Sequence, residues 1–129
     1  MSRPRILIVD DNLMNLELVS FLLEANGLEV ASAPDAGAAR TSIAAHEPDL
    51  ILMDIQLPDV DGLTFTRQLK SNPATQHIPV VAFTAYAMKG DEARMREAGC
   101  DGYLSKPIDV ANFTNSVKSY LKANTSADS

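Results

Sequence analysis

The chain has a single cysteine, Cys100, so no internal disulfide can form, and its place beside Gly99 reads as a packed thiol rather than a nucleophile. Basic charge is scarce: eleven Lys and Arg stand against seventeen Asp and Glu, a formal net charge of -6. That balance repels both a nucleic-acid backbone and an anionic membrane surface, so neither is expected as a direct partner. No apolar run approaches the roughly 20 residues a bilayer crossing needs, and no basic segment leads into an apolar stretch at the N-terminus. A cytoplasmic protein is expected. Internal repeats, low-complexity tracts and linker-like segments are also missing, which argues against an array or a string of modules.

What remains is an ordinary globular composition, 46 % hydrophobic and 22 % charged, over 129 residues. That length suits one domain with one buried core, expected over residues 1–124, with a polar tail at 125–129. Any output activity would then come from a partner. Apolar runs recur at Arg5 to Val9, Glu29 to Ala33, Leu50 to Met53, Pro79 to Phe83 and, more weakly, Gly102 to Ser105. Between them the spacing turns helical. Leu16, Val19 and Leu23 share one face of a first helix that Gly27 closes, and further helices are expected at about Asp35 to His46, Leu63 to Ser71, Asp91 to Ala98 and Val110 to Ala123. Runs such as Ile6-Leu7-Ile8-Val9 and Leu50-Ile51-Leu52-Met53 are apolar on both faces, as central parallel strands covered by helices require. Five βα units in succession define an α/β class with one doubly wound parallel sheet.

In such a sheet, ligands gather at the carboxyl ends of the strands. Asp10 and Asp11 follow the first run, Asp54 the third, Thr84 the fourth and Lys106 the fifth. Three carboxylates in one crevice repel one another, and a hard divalent cation is the economical remedy. Magnesium, or manganese in its place, would take Asp11 and Asp54 as direct ligands, Asp10 through a bound water and the backbone carbonyl of Gln56 as a loop oxygen. Lys106 would pair with Asp54 when the site is empty and with phosphoryl oxygens when it is loaded, and Thr84 would offer a hydroxyl. A carboxylate nucleophile, a bridging metal and cationic or hydroxyl donors are the parts of phosphoryl transfer, here the formation of an aspartyl phosphate.

Ile8-Val9-Asp10-Asp11-Asn12, Leu52-Met53-Asp54-Ile55-Gln56-Leu57-Pro58, Asp61-Gly62, Thr84-Ala85 and Lys106-Pro107 together resemble the signature of bacterial response regulator receiver domains. The resemblance spans nearly the whole chain, and Asp49 to Pro58 and Ala87 to Glu92 are similar to the standalone DivK type. It implies the flavodoxin-like, CheY-like (βα)5 fold with strand order 2-1-3-4-5. It implies Asp54 as phosphoacceptor, Asp10 and Asp11 at the metal, Lys106 as phosphate contact, and Thr84 with Tyr103 as a switch pair that alters the face of the fourth helix, fifth strand and fifth helix. Gln56 and Tyr86 would tune phosphoryl lifetime, a bulky Tyr86 hindering the in-line water. Lys106-Pro107 would be a cis peptide. The donor would be a phosphohistidine on a histidine kinase or histidine phosphotransfer protein, the reader a downstream protein target, and the chain itself no turnover enzyme.

Each residue also has a plainer reading. Asp11 or Asn12 could simply cap the first helix, Thr84 finish a strand, Lys106 sit on the surface and Tyr103 be a half-buried aromatic. His46 should end a helix and His77 lie in a loop, with no part in phosphotransfer. An aspartate-nucleophile phosphatase would carry a second Asp where Gln56 stands. A receiver fold used as a constitutive scaffold would not need Asp10, Asp11, Asp54, Thr84 and Lys106 together.

Overall fold

A computed structural model describes residues 3–84, 89–106 and 109–126. Five strands, β1 (Arg5–Val9), β2 (Glu29–Ala33), β3 (Leu50–Met53), β4 (Val80–Thr84) and β5 (Gly102–Ser105), alternate with five helices. The helices are α1 (Leu13–Ala25), α2 (Ala36–Ala45), α3 (Gly62–Ser71), α4 (Lys89–Ala98) and α5 (Phe113–Ser126). The strands form one parallel sheet in the order β2-β1-β3-β4-β5. The expected class and order are both found.

The apolar runs explain the layering. Side chains alternate across a strand, so Ile6, Ile8, Leu50, Leu52, Val81 and Phe83 face Leu16, Val19 and Leu23 of α1 and Phe113 and Val117 of α5. Leu7, Val9, Ile51, Met53 and Val80 point the other way, onto Ala36, Ala39 and Ile43 of α2 and Phe65 and Leu69 of α3. A smaller cluster of Leu63, Ala82, Met95 and Ala98 seats α4 on that second face. Each large apolar side chain removed from water contributes about 1.5–3 kcal/mol, so β1, β3 and β4, buried on both faces, anchor the sheet.

Two helix ends show how sequence sets direction. Gly27 and Gly99 have φ of 84° and 104°, the left-handed region. The Leu28 N–H reaches the Leu23 carbonyl and the Gly27 N–H the Glu24 carbonyl, and Cys100 and Gly99 do the same to Met95 and Arg96. Both turns return the chain at once to a strand. His46 caps the end of α2, as expected.

Boundaries shift where side chains compete for backbone amides. The fifth helix, expected over Val110 to Ala123, is found at Phe113–Ser126. Asp109 takes the Ala111 N–H on its carboxylate and the Asn112 and Phe113 N–H groups on its carbonyl, which holds residues 110–112 in a turn. At the other end no Gly or Pro stops the helix, and it runs into the expected polar tail. The fourth helix starts at Lys89 rather than Asp91, and β4 lies one residue later than expected, ending on Thr84. Tyr86 and Pro107, for which a lifetime role and a cis peptide are expected, lie outside the described residues.

Candidate functional site

The parallel register brings the ends of β1, β3 and β5 to one edge. Asp10 donates its N–H to the Ala33 carbonyl, Asp54 to the Val9 carbonyl and Lys106 to the Thr84 carbonyl, so each residue continues its strand by one step before the loop begins. Asp10, Asp11, Asn12, Asn15, Asp54, Gln56 and Lys106 line a crevice of about 290 Å³. A larger groove of about 570 Å³ between α2 and α3, lined by Arg40, Phe65 and Gln68 among others, gathers no comparable carboxylate group. Chemistry, not size, marks the site.

Asp10 is 0 % exposed and Asp54 7 % exposed. Asp10 accepts the Asn12 N–H at 2.9 Å on Oδ1, and on Oδ2 it accepts Lys106 Nζ at 2.8 Å and Asn15 Nδ2 at 3.4 Å. Asp54 Oδ1 accepts the Gln56 N–H at 3.3 Å, and its Oδ2 lies 3.5 Å from Lys106 Nζ. Lys106 therefore bridges the two carboxylates: the expected pairing with Asp54 is present, and a shorter one with Asp10 accompanies it. The reason is burial: Asp10 has the smaller solvent exposure and the greater need of a cation. The Lys106 ammonium also lies 5.1 Å from the centre of the Phe83 ring, which fixes its stem.

Asp10, Asp11 and Asp54 each offer one oxygen, all within 4.8 Å of one another. An all-oxygen, anionic set suits a hard divalent cation, and the exposed Asp11 leaves room for coordinated water. The cluster is thus able to coordinate such an ion. Burial, opposed by Lys106 and aided by Asp10, pushes the Asp54 carboxyl above its ordinary range. The native state then holds that proton more tightly than the unfolded chain. The stability so gained is full below the usual carboxylate range and is lost as pH rises through the raised value, so an ionised Asp54 leaves the crevice in need of a cation.

The remaining expected residues are more dispersed. Thr84 is buried at the end of β4 and receives the Lys106 amide on its carbonyl, but it does not line the crevice. Tyr103 is half-buried on β5, in register with Ala82, and packs against the Leu63, Ala82, Met95 and Ala98 cluster. His77 pairs with Glu47 at 3.1 Å, away from the crevice. Cys100 is a packed thiol, its pKa pushed up to about 11 by burial first of all. Asn12 is the N-cap of α1, accepting the Asn15 N–H at 3.1 Å, which leaves Asp11 free of that duty.

Two residues hold the site in ways the sequence does not predict: Asn15, which no motif singles out, and Gly62, which the signature contains without a role. Asn15 holds Asp10 from inside α1. Gly62, the first residue of α3, donates to the Ile55 carbonyl at 2.7 Å, and a Cβ there would stand 2.0 Å from the Asp54 carbonyl oxygen. The Asp61-Gly62 pair was visible in the chain, but nothing in it says what the glycine touches.

The model of the response regulator receiver domain matches residues 6–118. The chain belongs to that family. As a receiver it is a signalling domain rather than a turnover enzyme, and the acidic cluster of Asp10, Asp11 and Asp54 is the phosphoacceptor and metal region typical of such domains. It is 50 % identical to the polar-differentiation response regulator DivK of Brucella anthropi over 116 residues, 90 % of this chain and 94 % of that relative. DivK of Brucella ovis matches with the same identity and coverage. Among solved structures, a CheY-like response regulator receiver domain protein from Methanospirillum hungatei superposes with a TM-score of 0.89 at 29 % identity, covering 98 % of this chain and 99 % of that one. A two-component response regulator from Clostridium difficile gives 0.86 at 28 % identity, covering 93 % and 97 %. Among the described residues, no helix of this receiver is long and apolar enough to cross a membrane.

Proposed function

We propose that this receiver accepts a phosphoryl group on Asp54 from a phosphohistidine of a histidine kinase or histidine phosphotransfer protein. The observation that carries the reading is the convergence of Asp10, Asp11, Asp54 and Lys106 on one crevice at the carboxyl edge of the sheet. An Asp54 carboxylate oxygen attacks phosphorus, a P–O bond forms as the P–N bond breaks, and the imidazole leaves with the electron pair. Asp10, Asp11, Asp54 and the Gln56 carbonyl would hold magnesium, which supplies charge neutralisation for the transferred oxygens. Lys106, already between Asp10 and Asp54, donates to the phosphoryl group. Thr84 and Tyr103 then form the switch, and a downstream protein reads the α4–β5–α5 face.

A donor must cover the mouth of the crevice, and the adjoining surface is apolar. Leu13, Met14 and Phe21 of α1 are 69 %, 79 % and 70 % exposed; Leu13 and Met14 directly follow Asn12 of the crevice wall, and Phe21 lines one surface groove with Leu13. Large apolar side chains left in water next to a reactive site suit the packing of a partner helix. Phe21→Ser is expected to slow transfer from a phosphorylated histidine phosphotransfer domain about tenfold, the loss of one good interface contact, while leaving labelling by phosphoramidate unchanged. Equal rates with the protein donor would contradict this docking face, and transfer that persists in Asp54→Asn would contradict the acceptor.

A further inference from the structure

The loop from Asp54 to Asp61 is pinned at its far side to a different element. Asp59 is exposed, yet both its oxygens are engaged. Its Oδ1 accepts the Ala36 N–H at 3.0 Å and the Val60 N–H at 2.9 Å, and its Oδ2 accepts the Gly37 N–H at 3.0 Å. Ala36 and Gly37 open α2, where amides have no partner within the helix. The helix already carries its own cap, because Asp35 Oδ1 accepts the Ala38 N–H at 2.7 Å. The first turn of α2 is thus closed from two sides, once by its own N-cap and once by a carboxylate arriving from the loop that follows Asp54. Those amides hold the Asp59 carboxyl below its ordinary range, so the contact is a charged one.

An exposed carboxylate bonded across two elements buries no apolar surface, and what it fixes is where the loop lies. Beside the packing of Ile55, Leu57 and Val60 on the core, three hydrogen-bonded ties hold that loop: the Gln56 N–H on Asp54 Oδ1, the Gly62 N–H on the Ile55 carbonyl, and Asp59 on α2. We propose that Asp59 is a positioning residue that presets the loop bearing the Gln56 carbonyl, and through it the affinity of the acidic crevice for a divalent cation. The inference rests on the reading of that crevice as a magnesium site. With the loop preset, its ordering is completed on folding; without the tie, the ion must order the loop as it binds, and affinity falls.

The test sets Asp59→Ala beside Asp35→Ala, with magnesium affinity measured by calorimetry and melting temperature recorded for each protein without metal. Both variants uncap α2 and lower the melting temperature. Only Asp59→Ala is expected to weaken magnesium, by about 3–10-fold, somewhat less than the loss of a partner bonded directly to a ligand. Labelling by phosphoramidate should slow at low magnesium and recover at saturating magnesium. Asp59→Asn, which keeps one acceptor oxygen, should fall between and carries the test if the alanine variant does not fold. Unchanged affinity in the Asp59 variants, or an equal loss in Asp35→Ala, overturns the inference and leaves a helix cap. A wild-type protein that takes up no magnesium contradicts the reading of the crevice itself, and the inference with it.

Discussion

Gly62→Ala is expected to destabilise the receiver by about 3 kcal/mol, the upper end of what overpacking usually costs, and to slow phosphorylation of Asp54 at least about a hundredfold. A Cβ at Gly62 would lie 2.0 Å from the Asp54 carbonyl oxygen and 2.9 Å from both the Asp54 carbonyl carbon and the Ile55 Cα. All three are backbone atoms, so no side chain can rotate away. Either α3 lifts, which breaks the 2.7 Å bond from Gly62 to Ile55, or the peptide bearing Asp54 moves in the crevice. Gly37→Ala is the control. Its Cβ would meet only carboxylate oxygens of Asp35 and Asp59 at 3.5 and 3.6 Å, ordinary contacts, and alanine within a helix is intrinsically favoured over glycine. Urea denaturation and a phosphoramidate labelling rate for each variant decide the matter, and a fully active, stable Gly62→Ala would refute the close approach.

Lys106→Met should cost the metal-free protein about 3 kcal/mol at neutral pH, because removing one partner of a buried pair strands the other charge. Here two charges are stranded. The Lys106 ammonium lies 2.8 Å from the fully buried Asp10 and 3.5 Å from the nearly buried Asp54. Methionine keeps most of the stem beside Phe83, so the loss is electrostatic rather than one of packing. The pH dependence follows from burial, which already raises the Asp54 carboxyl. Protonated carboxyls need no cation, so the gap between wild type and variant should narrow as pH falls through the carboxylate range and widen as it rises. Magnesium should restore part of the lost stability by supplying the missing charge. Denaturation at about pH 7 and about pH 4, with and without magnesium, is the measurement; a loss independent of pH would assign Lys106 a packing role only.

The class and the crevice were legible because they depend on features local in sequence, whereas the strand order came only through the resemblance to receiver domains. Apolar runs set β1 and β3, and a polar residue after each run lands at the same edge of a parallel sheet. The weaker run at Gly102 to Ser105 was still readable as the strand that completes a regular strand–helix alternation. What stayed hidden depends on distances between residues far apart in the chain. Nothing in the sequence indicates that Lys106 lies nearer Asp10 than Asp54, that Asp59 reaches α2, or that Gly62 rests against the Asp54 peptide. The start of α5 was misplaced for a local reason: Asp109 captures amides that a periodicity argument assigns to the helix.

The central claim is that Asp54 takes a phosphoryl group with the help of a divalent cation. It is tested most directly by incubating the protein with magnesium and acetyl phosphate and recording the intact mass beside Asp54→Asn and a chelated sample. The expected result is an added mass of about 80 Da, one phosphoryl group, on the wild type alone. An unmodified wild type, or an adduct that survives in Asp54→Asn or in chelator, would contradict the claim.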